Sequence, residues 1–228
     1  MERMLWWDFP RMSEFDAILF DFDGVLVDSE PVHCACWAEV LAPLGVILDW
    51  EFYRDRCIGI DDRAMLRMMA TRAVPPLDWE SLWEQYPAKK ALFRGRMSEN
   101  PPFPAEIPAL LERLRADYKL AVVSSSSTEE IEPMLAAGGL RHHFAAVVGG
   151  NHVKRQKPAP EPYLLAAERL VAKSPLVVED SEAGLAAGRA AGFEVLRVGH
   201  PSEVAERLRE RLPLRGMDRP GGLSYGAL

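Results

Sequence analysis

The stretch that decides the fold is Phe20-Asp21-Phe22-Asp23-Gly24-Val25-Leu26-Val27-Asp28-Ser29. It begins inside an apolar run, Ala17 to Phe22, whose length and composition predict a buried strand. Strand interiors normally exclude carboxylates, yet this strand ends in Asp-x-Asp followed by Gly. If both carboxyl groups face one cleft, they can share a hard cation and perform different tasks. The alternative interpretation is a turn in which aspartate accepts backbone hydrogen bonds, as is common for Asp-Gly.

Four more apolar runs of strand length follow, each bounded by Gly, Pro or Ser: Leu120 to Val123, Ala145 to Val148, Leu176 to Val178 and Val195 to Val198. Helical patterns lie between them: Ile107 to Ala116, a run opened by the capping box Ser127-x-x-Glu130 and closed near Gly138 and Gly139, Glu161 to Ala172, Glu182 to Ala191, and Ser202 to Leu212. This alternation predicts an α/β fold with a doubly wound, mostly parallel, Rossmann-like sheet. Its active residues should lie at the carboxyl ends of the strands.

Residues 31–100 interrupt this alternation, because they are helical in pattern and contain four of the six tryptophans, Trp37, Trp50, Trp79 and Trp83. They predict an inserted all-helical domain. The segment ends in Asn100-Pro101-Pro102-Phe103-Pro104, an extended connection that cannot continue a helix and would suit a hinge. We therefore expect a discontinuous catalytic core of residues 12–30 and 101–212, a cap of residues 31–100, and flexible tails of residues 1–11 and 213–228.

Composition and charge exclude several classes of protein. The net charge is −7, which disfavours a nucleic-acid or anionic-membrane binder. The longest stretch without Asp, Glu, Lys or Arg, His142 to Val153, is too short to cross a bilayer. Charged residues also interrupt the N-terminus, so we expect no secretory signal and a cytoplasmic protein. The expected oligomeric state is a monomer or weak dimer. The three cysteines and five histidines match no zinc motif, so the spacing predicts no zinc site.

A second acidic pair, Glu179-Asp180, follows the predicted strand Leu176 to Val178 and precedes a helix of small residues. In isolation the pair could be only a helix N-cap with a favourable dipole. Two acidic sites at strand ends of one sheet repel each other, however, and a cation between them would relieve that repulsion. Mg²⁺ suits carboxylate and water ligands, so it is the expected cofactor.

Two further residues at predicted strand ends and loops complete this set. Ser124 closes the strand Leu120 to Val123, and Lys157 lies in the proline-rich loop Gln156 to Glu161. Taken alone, Ser124 is most simply a loop hydroxyl, and Lys157 is most simply a solvated charge. In one cleft, a hydroxyl and an ammonium are what a transferring phosphoryl group needs, because they can bind its oxygens and offset its charge.

Together these motifs resemble the haloacid dehalogenase-like hydrolases, in the phosphatase and β-phosphoglucomutase branch that has a helical cap after the first motif. All four motifs of that family are matched in order, across roughly residues 16–212. They are DFDGVLVDS, Ser124 in VVSSSS, Lys157 in KPAPEPY, and VVEDSEAGLAAGRAAG.

The resemblance implies a role for each matched residue. Asp21 would be the nucleophile that forms an aspartyl phosphate, and Asp23 would be the general acid and then the general base. Asp21, Asp180 and the backbone carbonyl of Asp23 would hold Mg²⁺, with Glu179 as a direct ligand or a support. Ser124 and Lys157 would bind the phosphoryl oxygens.

The cap is expected to set specificity and to exclude bulk water when it closes. Its candidate loop runs from Cys57 to Arg63 and contains Gly59, with His33 near the entrance. Ordinary helix linkers explain this loop equally well, so Gly59, Arg63 and His33 are hypotheses about specificity.

Three functions remain open from the sequence: a phosphatase acting on a small phosphorylated metabolite, a sugar-phosphate mutase, and a non-catalytic phosphate-sensing protein. The last is disfavoured because every chemical position is filled. β-Phosphoglucomutases resemble this cap loop but carry a basic residue where this chain has Ile58, although Arg56 or Arg63 could compensate. Dehalogenases lack an acid at the position of Asp23. The resemblance therefore favours a phosphatase, acting on a sugar phosphate or phosphoglycolate.

Overall fold

The strands of residues 14–212, the part of the chain that the computed structural model describes, form one five-stranded sheet. They are β1 (Ala17–Phe20), β2 (Lys119–Val123), β3 (Ala146–Val148), β4 (Pro175–Glu179) and β5 (Glu194–Arg197). Their order is β3-β2-β1-β4-β5, and each neighbouring pair is parallel. The predicted doubly wound α/β class is confirmed. The predicted tails, 1–11 and 213–228, lie outside the described residues.

Six α-helices lie between β1 and β2, and the first five of them form the inserted segment: α1 (Glu30–Leu41), α2 (Trp50–Arg56), α3 (Asp62–Arg72), α4 (Trp79–Trp83) and α5 (Tyr86–Glu99). The remaining helices alternate with or follow the strands: α6 (Ile107–Leu114), α7 (Thr128–Ala137), α8 (Glu161–Leu170), α9 (Glu182–Ala190) and α10 (Val204–Arg211). None of the helices within residues 14–212 has the length and apolar character that a membrane span requires.

The sheet is covered on both faces because its buried residues alternate in direction. Ile18 and Phe20 of β1 belong to an apolar cluster that includes residues of α6, α7 and α10. Ala17 and Leu19 point the other way, into a cluster with residues of α8 and α9. Each fully buried Ile, Leu or Phe contributes roughly 1.5–3 kcal/mol to the free energy of unfolding. This burial on both faces explains why the strands are nearly continuous apolar runs.

Helices α1 to α5 enclose a separate apolar cluster around Trp37, Tyr53 and Leu66. The indole Nε1 of the fully buried Trp37 donates to Oδ1 of Asp62 at 2.9 Å, which satisfies its only polar group. Helix α3 begins at the N-cap Asp61, whose side chain accepts from the first backbone amides of the helix. These helices therefore have a core of their own, and we keep the cap boundaries 31–100 as a proposal.

Two connections join these helices to the sheet, and they lie side by side. The backbone N–H of Asp28 donates to the carbonyl of Pro102 at 3.2 Å. Phe103 packs its ring edge-on against Phe22, with centroids 6.1 Å apart. The second connection contains the predicted extended segment 100–104, in which residues 101–104 are neither helix nor strand.

The capping box predicted at the start of α7 is wrong in its contacts, although its position is right. Ser127 is the N-cap residue, but its side chain makes no capping hydrogen bond. Glu130 instead reaches α5, where it accepts from Nη2 of Arg94 at 2.9 Å. A charged partner on a neighbouring helix has thus replaced the local backbone amide that the pattern assigned to Glu130.

Candidate active site

The residues that follow three neighbouring strands meet at one edge of the sheet. Asp21 follows β1, Ser124 follows β2 and Asp180 follows β4. The N–H of Asp21 continues the sheet, because it donates to the carbonyl of Val178 at 2.9 Å. The chain proceeds from β1 to one side of the sheet for β2 and β3, and then to the other for β4 and β5. In such sheets, ligands bind where the winding direction changes, which is the position of Asp21.

Lys157 enters this group from the loop that precedes α8. Its ammonium donates to Oδ1 of Asp21, to Oε1 of Glu179 at 2.5 Å and to the carbonyl of Val123 at 3.0 Å. Burial lowers the pKa of Lys157, but Asp21 and Glu179 more than offset that effect and leave the pKa above its usual range. Lys157 therefore stays protonated, and all three of its donors are used.

Glu179, the last residue of β4, is completely buried and fully hydrogen-bonded. Tyr163 donates to Oε1 at 2.6 Å, and Oε2 accepts from the N–H groups of Asp180 and Ser181 at 3.0 and 3.1 Å. Burial raises the pKa of Glu179, but Lys157 and the hydrogen bonds outweigh burial and lower it overall. Glu179 is thus an anion whose oxygens are engaged by the protein, and it fixes Lys157 beside Asp21.

Asp23 lies in a different environment from Asp21, although only one residue separates them. Oδ2 of Asp23 accepts from the hydroxyl of Ser126 at 3.4 Å. Burial raises the pKa of Asp23 despite hydrogen bonds from Ser29 and Ser126. The pKa values of both aspartates are raised, so their partners distinguish them: Asp21 faces the Lys157 ammonium, whereas Asp23 accepts from a serine hydroxyl. This difference in partners suits the two aspartates to different roles.

The carboxylates of Asp21, Glu179 and Asp180 fit a divalent cation. One oxygen from each lies within 4.8 Å of the others, whereas the side chain of Asp23 is not part of this group. Burial and the neighbouring Glu179 raise the pKa of Asp180 to about 6, and burial raises that of Asp21 well above its usual range despite Lys157. Three carboxylates thus face one ammonium, and a hard divalent ion with oxygen ligands would balance them.

Gly24 is required at the turn after Asp23 for two reasons. Its φ of +77° lies in the left-handed region, which side chains with a Cβ rarely adopt. A Cβ at this position would also overlap Oδ2 of Asp180. The turn therefore brings the backbone after β1 directly against the acid that follows β4.

A cavity of about 280 Å³ separates Asp23 from the helices α1 and α5. His33, Asp62 and Lys89 line its cap side. Lys89 is 4% exposed and donates to Nδ1 of His33 at 2.8 Å, since an ammonium can only donate. Asp62 lies 3.5 Å from the same ammonium. Burial and Lys89 lower the pKa of His33 to about 4, so the imidazole is neutral.

The structure separates the predicted cap residues. His33 lines the cavity, as does Asp62, but the neighbouring Arg63 is not among the residues that line it. The guanidinium of Arg63 lies 4.7 Å from the centroid of the Trp83 ring. Gly59, with φ of +84°, forms part of the turn between α2 and α3, and Ile58 beside it is 44% exposed. The roles proposed for Gly59 and Arg63 stay predictions.

Three residues of this site were missed from the sequence: Tyr163, Ser126 and Lys89. Tyr163 ends the segment KPAPEPY, so its spacing from Lys157 was visible, but nothing indicated that it would contact Glu179. Ser126 was one of four consecutive serines. Lys89 stands beside Lys90 in a helix, and only tertiary packing shows that the first is buried while the second is half-exposed.

Comparisons with known proteins agree with this fold and site. A fructose-1-phosphate phosphatase of Escherichia coli K12 is 31% identical over 189 residues, which cover 82% of this chain and 97% of that protein. A phosphoglycolate phosphatase of Aquifex aeolicus is 34% identical over 188 residues, covering 77% and 81% of the two chains. A Thermotoga maritima structure provisionally assigned as a β-phosphoglucomutase superposes with a TM-score of 0.67 at 27% identity, covering 86% and 99%.

A doubly wound parallel sheet with acids, a lysine and a hydroxyl at its strand ends defines an α/β enzyme with an acidic cleft. The chain belongs to the haloacid dehalogenase-like hydrolases, whose family model matches residues 18–198. The resemblance seen in the sequence is thereby confirmed, as is the expected enzyme class, a phosphoric monoester hydrolase.

Proposed function

We propose that this phosphatase depends on Mg²⁺ and hydrolyses a small phosphorylated metabolite, a sugar phosphate or phosphoglycolate, through an aspartyl phosphate on Asp21. The observation that carries the proposal is the asymmetric setting of the Asp21 carboxylate. Oδ1 is held by Lys157, which is itself fixed by Glu179 and a backbone carbonyl. Oδ2 is then the oxygen that can attack phosphorus. The substrates named for the two curated relatives support the choice of metabolite.

In the first step, Oδ2 of Asp21 forms a bond to phosphorus while the bond from phosphorus to the leaving oxygen breaks. Ser124 would donate to the phosphoryl oxygens, and Lys157, whose three donors are engaged by the protein, would stabilise those oxygens by its positive charge. Asp21, Asp180 and the backbone carbonyl of Asp23 would hold Mg²⁺, with Glu179 behind them, and the bound ion would supply positive charge against the phosphoryl oxygens. Lys157 already contacts Asp21, so it also limits repulsion between that carboxylate and an anionic substrate.

In this proposal, Asp23 would move the protons of both steps. Its raised pKa favours the protonated form, which can donate a proton to the leaving oxygen as that oxygen departs. The resulting carboxylate then takes a proton from the water that attacks phosphorus, while the bond from phosphorus to Oδ2 of Asp21 breaks and inorganic phosphate is released. The hydroxyl of Ser126 at 3.4 Å would hold Asp23 at the entrance of the cavity in both protonation states.

The cavity beyond Asp23 is suited to a small, polar leaving group. Its volume of about 280 Å³ lies just below the range of small-molecule sites, roughly 300–1,000 Å³. Lys89 is the buried ammonium of its lining, and Asp62 and His33 are its hydrogen-bonding neighbours. A hydroxyl or carboxylate of the substrate could accept from Lys89, as hydroxylated sugars and phosphoglycolate would allow.

The second candidate function is a sugar-phosphate mutase, which the likeness to the Thermotoga structure supports. A mutase must bind a second phosphate at the cap while the enzyme is phosphorylated. The exposed Ile58 offers no charge for that phosphate. We therefore place the mutase second.

A panel of phosphorylated metabolites tests the proposal, with kcat/KM measured for each in Mg²⁺. We expect one group of sugar phosphates or phosphoglycolate to exceed the others, and Lys89→Met to reduce kcat/KM most for that group. Lys173 provides the matched control, because this exposed lysine lies outside the cavity and Lys173→Met leaves the buried ammonium in place. Equal, low activity on every substrate, unaltered by Lys89→Met, would contradict the proposed substrate class.

A further inference from the structure

A second group of metal-binding side chains lies at the amino ends of the strands, away from the candidate active site. Glu112 is on α6, which precedes β2, and His142 and His143 form the 3₁₀ turn Arg141–His143 before β3. One ligand atom from each lies within 4.8 Å of the others. The three residues line an open cavity of about 540 Å³. The catalytic acids lie at the carboxyl ends of the same sheet.

His143 supplies the observation that points to a ligand. Its side chain is 5% exposed. Among the buried side-chain nitrogen and oxygen atoms of residues 14–212, its Nδ1 is the one that has no hydrogen-bond partner. Such an orphaned atom costs stability unless something pairs with it. Oε2 of Glu112 lies 3.5 Å from this nitrogen, which is too far for a good hydrogen bond.

That separation fits two ligands of one metal ion. Bonds of about 2.1 Å in tetrahedral geometry place two ligand atoms about 3.4 Å apart. The His142 ring lies beside that of His143, with centroids 3.9 Å apart, so a second imidazole reaches the same place. Because His142 and Glu112 are exposed, the remaining coordination position would face solvent.

We propose that Glu112, His142 and His143 bind a divalent transition-metal ion of the Zn²⁺ type at the edge of the sheet opposite the catalytic cleft. Two imidazoles and one carboxylate are ligands that suit such ions better than Mg²⁺. The bound ion would tie α6 to the turn before β3 and so stabilise the fold. Arg115 is the competing group, because its Nε forms an ion pair with Oε2 of Glu112 at 2.9 Å.

The test uses the full chain with Asp21→Asn and Asp180→Asn, which removes catalytic acids that could also bind the probe. Titration with Zn²⁺ by calorimetry should give one bound ion per chain and a rise in melting temperature. His142→Ala and Glu112→Gln should each weaken binding at least tenfold, a loss typical of damage to a metal site. These exposed positions are chosen because His143→Ala would open the core. Arg115→Ala should tighten binding, since it frees the carboxylate from an ion pair.

His152→Ala is the matched control, because His152 is an exposed histidine elsewhere on the surface, and it should leave Zn²⁺ affinity unchanged. The proposal would be overturned if no Zn²⁺ bound, or if His142→Ala and Glu112→Gln bound it as tightly as the parent. In the chain with intact catalytic acids, His142→Ala should keep full phosphatase activity in Mg²⁺. The outcome therefore does not depend on the proposed catalytic mechanism.

Discussion

The hydroxyl of Tyr163 donates to Oε1 of Glu179 at 2.6 Å, and the same oxygen accepts from Lys157 at 2.5 Å. Tyr163 lies on α8 and Glu179 ends β4, so the contact joins a helix to the sheet directly beneath the candidate active site. Because Glu179 is completely buried, its orientation depends on these donors. Tyr163 is thus a positioning residue for Lys157 and, through it, for Asp21.

Tyr163→Phe should lower the free energy of unfolding by about 1.5–3 kcal/mol, because it removes one hydrogen bond to a buried anion. It should also lower kcat several-fold, since Lys157 loses part of its support. Denaturant unfolding and steady-state kinetics measure the two effects. Tyr53→Phe is the matched control, because Tyr53 donates to Glu30 at 2.9 Å within the cap helices. If both variants lost kcat equally, the positioning role of Tyr163 would be wrong.

Asp21→Asn should fold normally and lose turnover by about 10³-fold or more, because an amide keeps the shape but removes the anionic nucleophile. Unfolding curves and kcat test this expectation together. Asp55→Asn serves as the control, because Asp55 is an exposed residue paired with Arg54 on α2. Activity of Asp21→Asn within tenfold of the parent would refute the nucleophilic role.

Removal of the metal with a chelator should abolish turnover, and added Mg²⁺ should restore it. Ca²⁺ should restore it poorly, because its longer and looser coordination would misplace the reacting groups. Asp180→Ala should reproduce the effect of chelation, since it removes one of the three clustered carboxylates. Activity assays before and after dialysis provide the measurement. Full turnover in excess chelator would exclude a metal-dependent reaction.

The neutral His33 makes the fold sensitive to acid. Burial and Lys89 lower its pKa from 6.5 to about 4, so the unfolded chain binds more protons at this residue between those values. Stability from this group is complete above pH 6.5 and is lost as the pH falls towards 4, by at most about 3 kcal/mol. His33→Gln should therefore show a smaller loss of unfolding free energy from pH 6.5 to 4.

Denaturant unfolding at a series of pH values measures that slope. His152→Gln is the control, because this exposed histidine lies outside the cavity that Lys89 lines. The interpretation fails if His33→Gln and the parent lose the same stability over this interval.

Whether the enzyme acts as a phosphatase or as a mutase depends on how tightly the cap binds the second phosphate of a sugar bisphosphate. A mutase must retain a sugar bisphosphate while it reorients, whereas a phosphatase needs only to admit water. Ile58 stands where the similar loop of β-phosphoglucomutases carries a basic residue. Without that residue the distal phosphate lacks a charge-assisted contact of about 1.5–3 kcal/mol, which corresponds to roughly ten- to 150-fold in affinity for the bisphosphate. β-Glucose 1-phosphate with a bisphosphate primer should therefore yield free phosphate rather than glucose 6-phosphate.

Ile58→Lys should shift the products towards transfer, because the side chain is exposed and free to accept the longer substituent. Ile60→Lys is the matched control on the same loop, since Ile60 is equally exposed. Coupled assays for phosphate and for glucose 6-phosphate follow both products. Isomerisation that outran phosphate release in the parent protein would show that the mutase is the correct function.

The strands and the sheet could be predicted because strands that are buried on both faces consist of apolar runs bounded by turn residues. Each predicted strand agrees with the observed one to within two residues at either end. The start of α7 shows where this reasoning stops. A local pattern located the N-cap Ser127, but the partner of Glu130 is Arg94, 36 residues away on another helix.

The same distinction holds for the site. Asp21, Ser124 and Asp180 follow strands, so the topology alone predicts that they share an edge. Lys89 and Tyr163 lie inside helices, where the sequence does not show which face is buried against which partner. Glu112 and His143 are 31 positions apart, and no spacing rule joins them. Residues that act through tertiary contacts were therefore the ones that the sequence could not reveal.

The central position of β1 has a consequence for the order in which the chain can fold during synthesis. Its two neighbours are β2, which begins at Lys119, and β4, which begins at Pro175. A nascent chain that has already emerged beyond β1 therefore carries an apolar strand with both edges unpaired until about a hundred more residues have been made. Helices α1 to α5 are made in that interval, and their contacts are local enough to form first. The inserted helices can therefore fold during synthesis before β1, the central strand, pairs with β2 and β4.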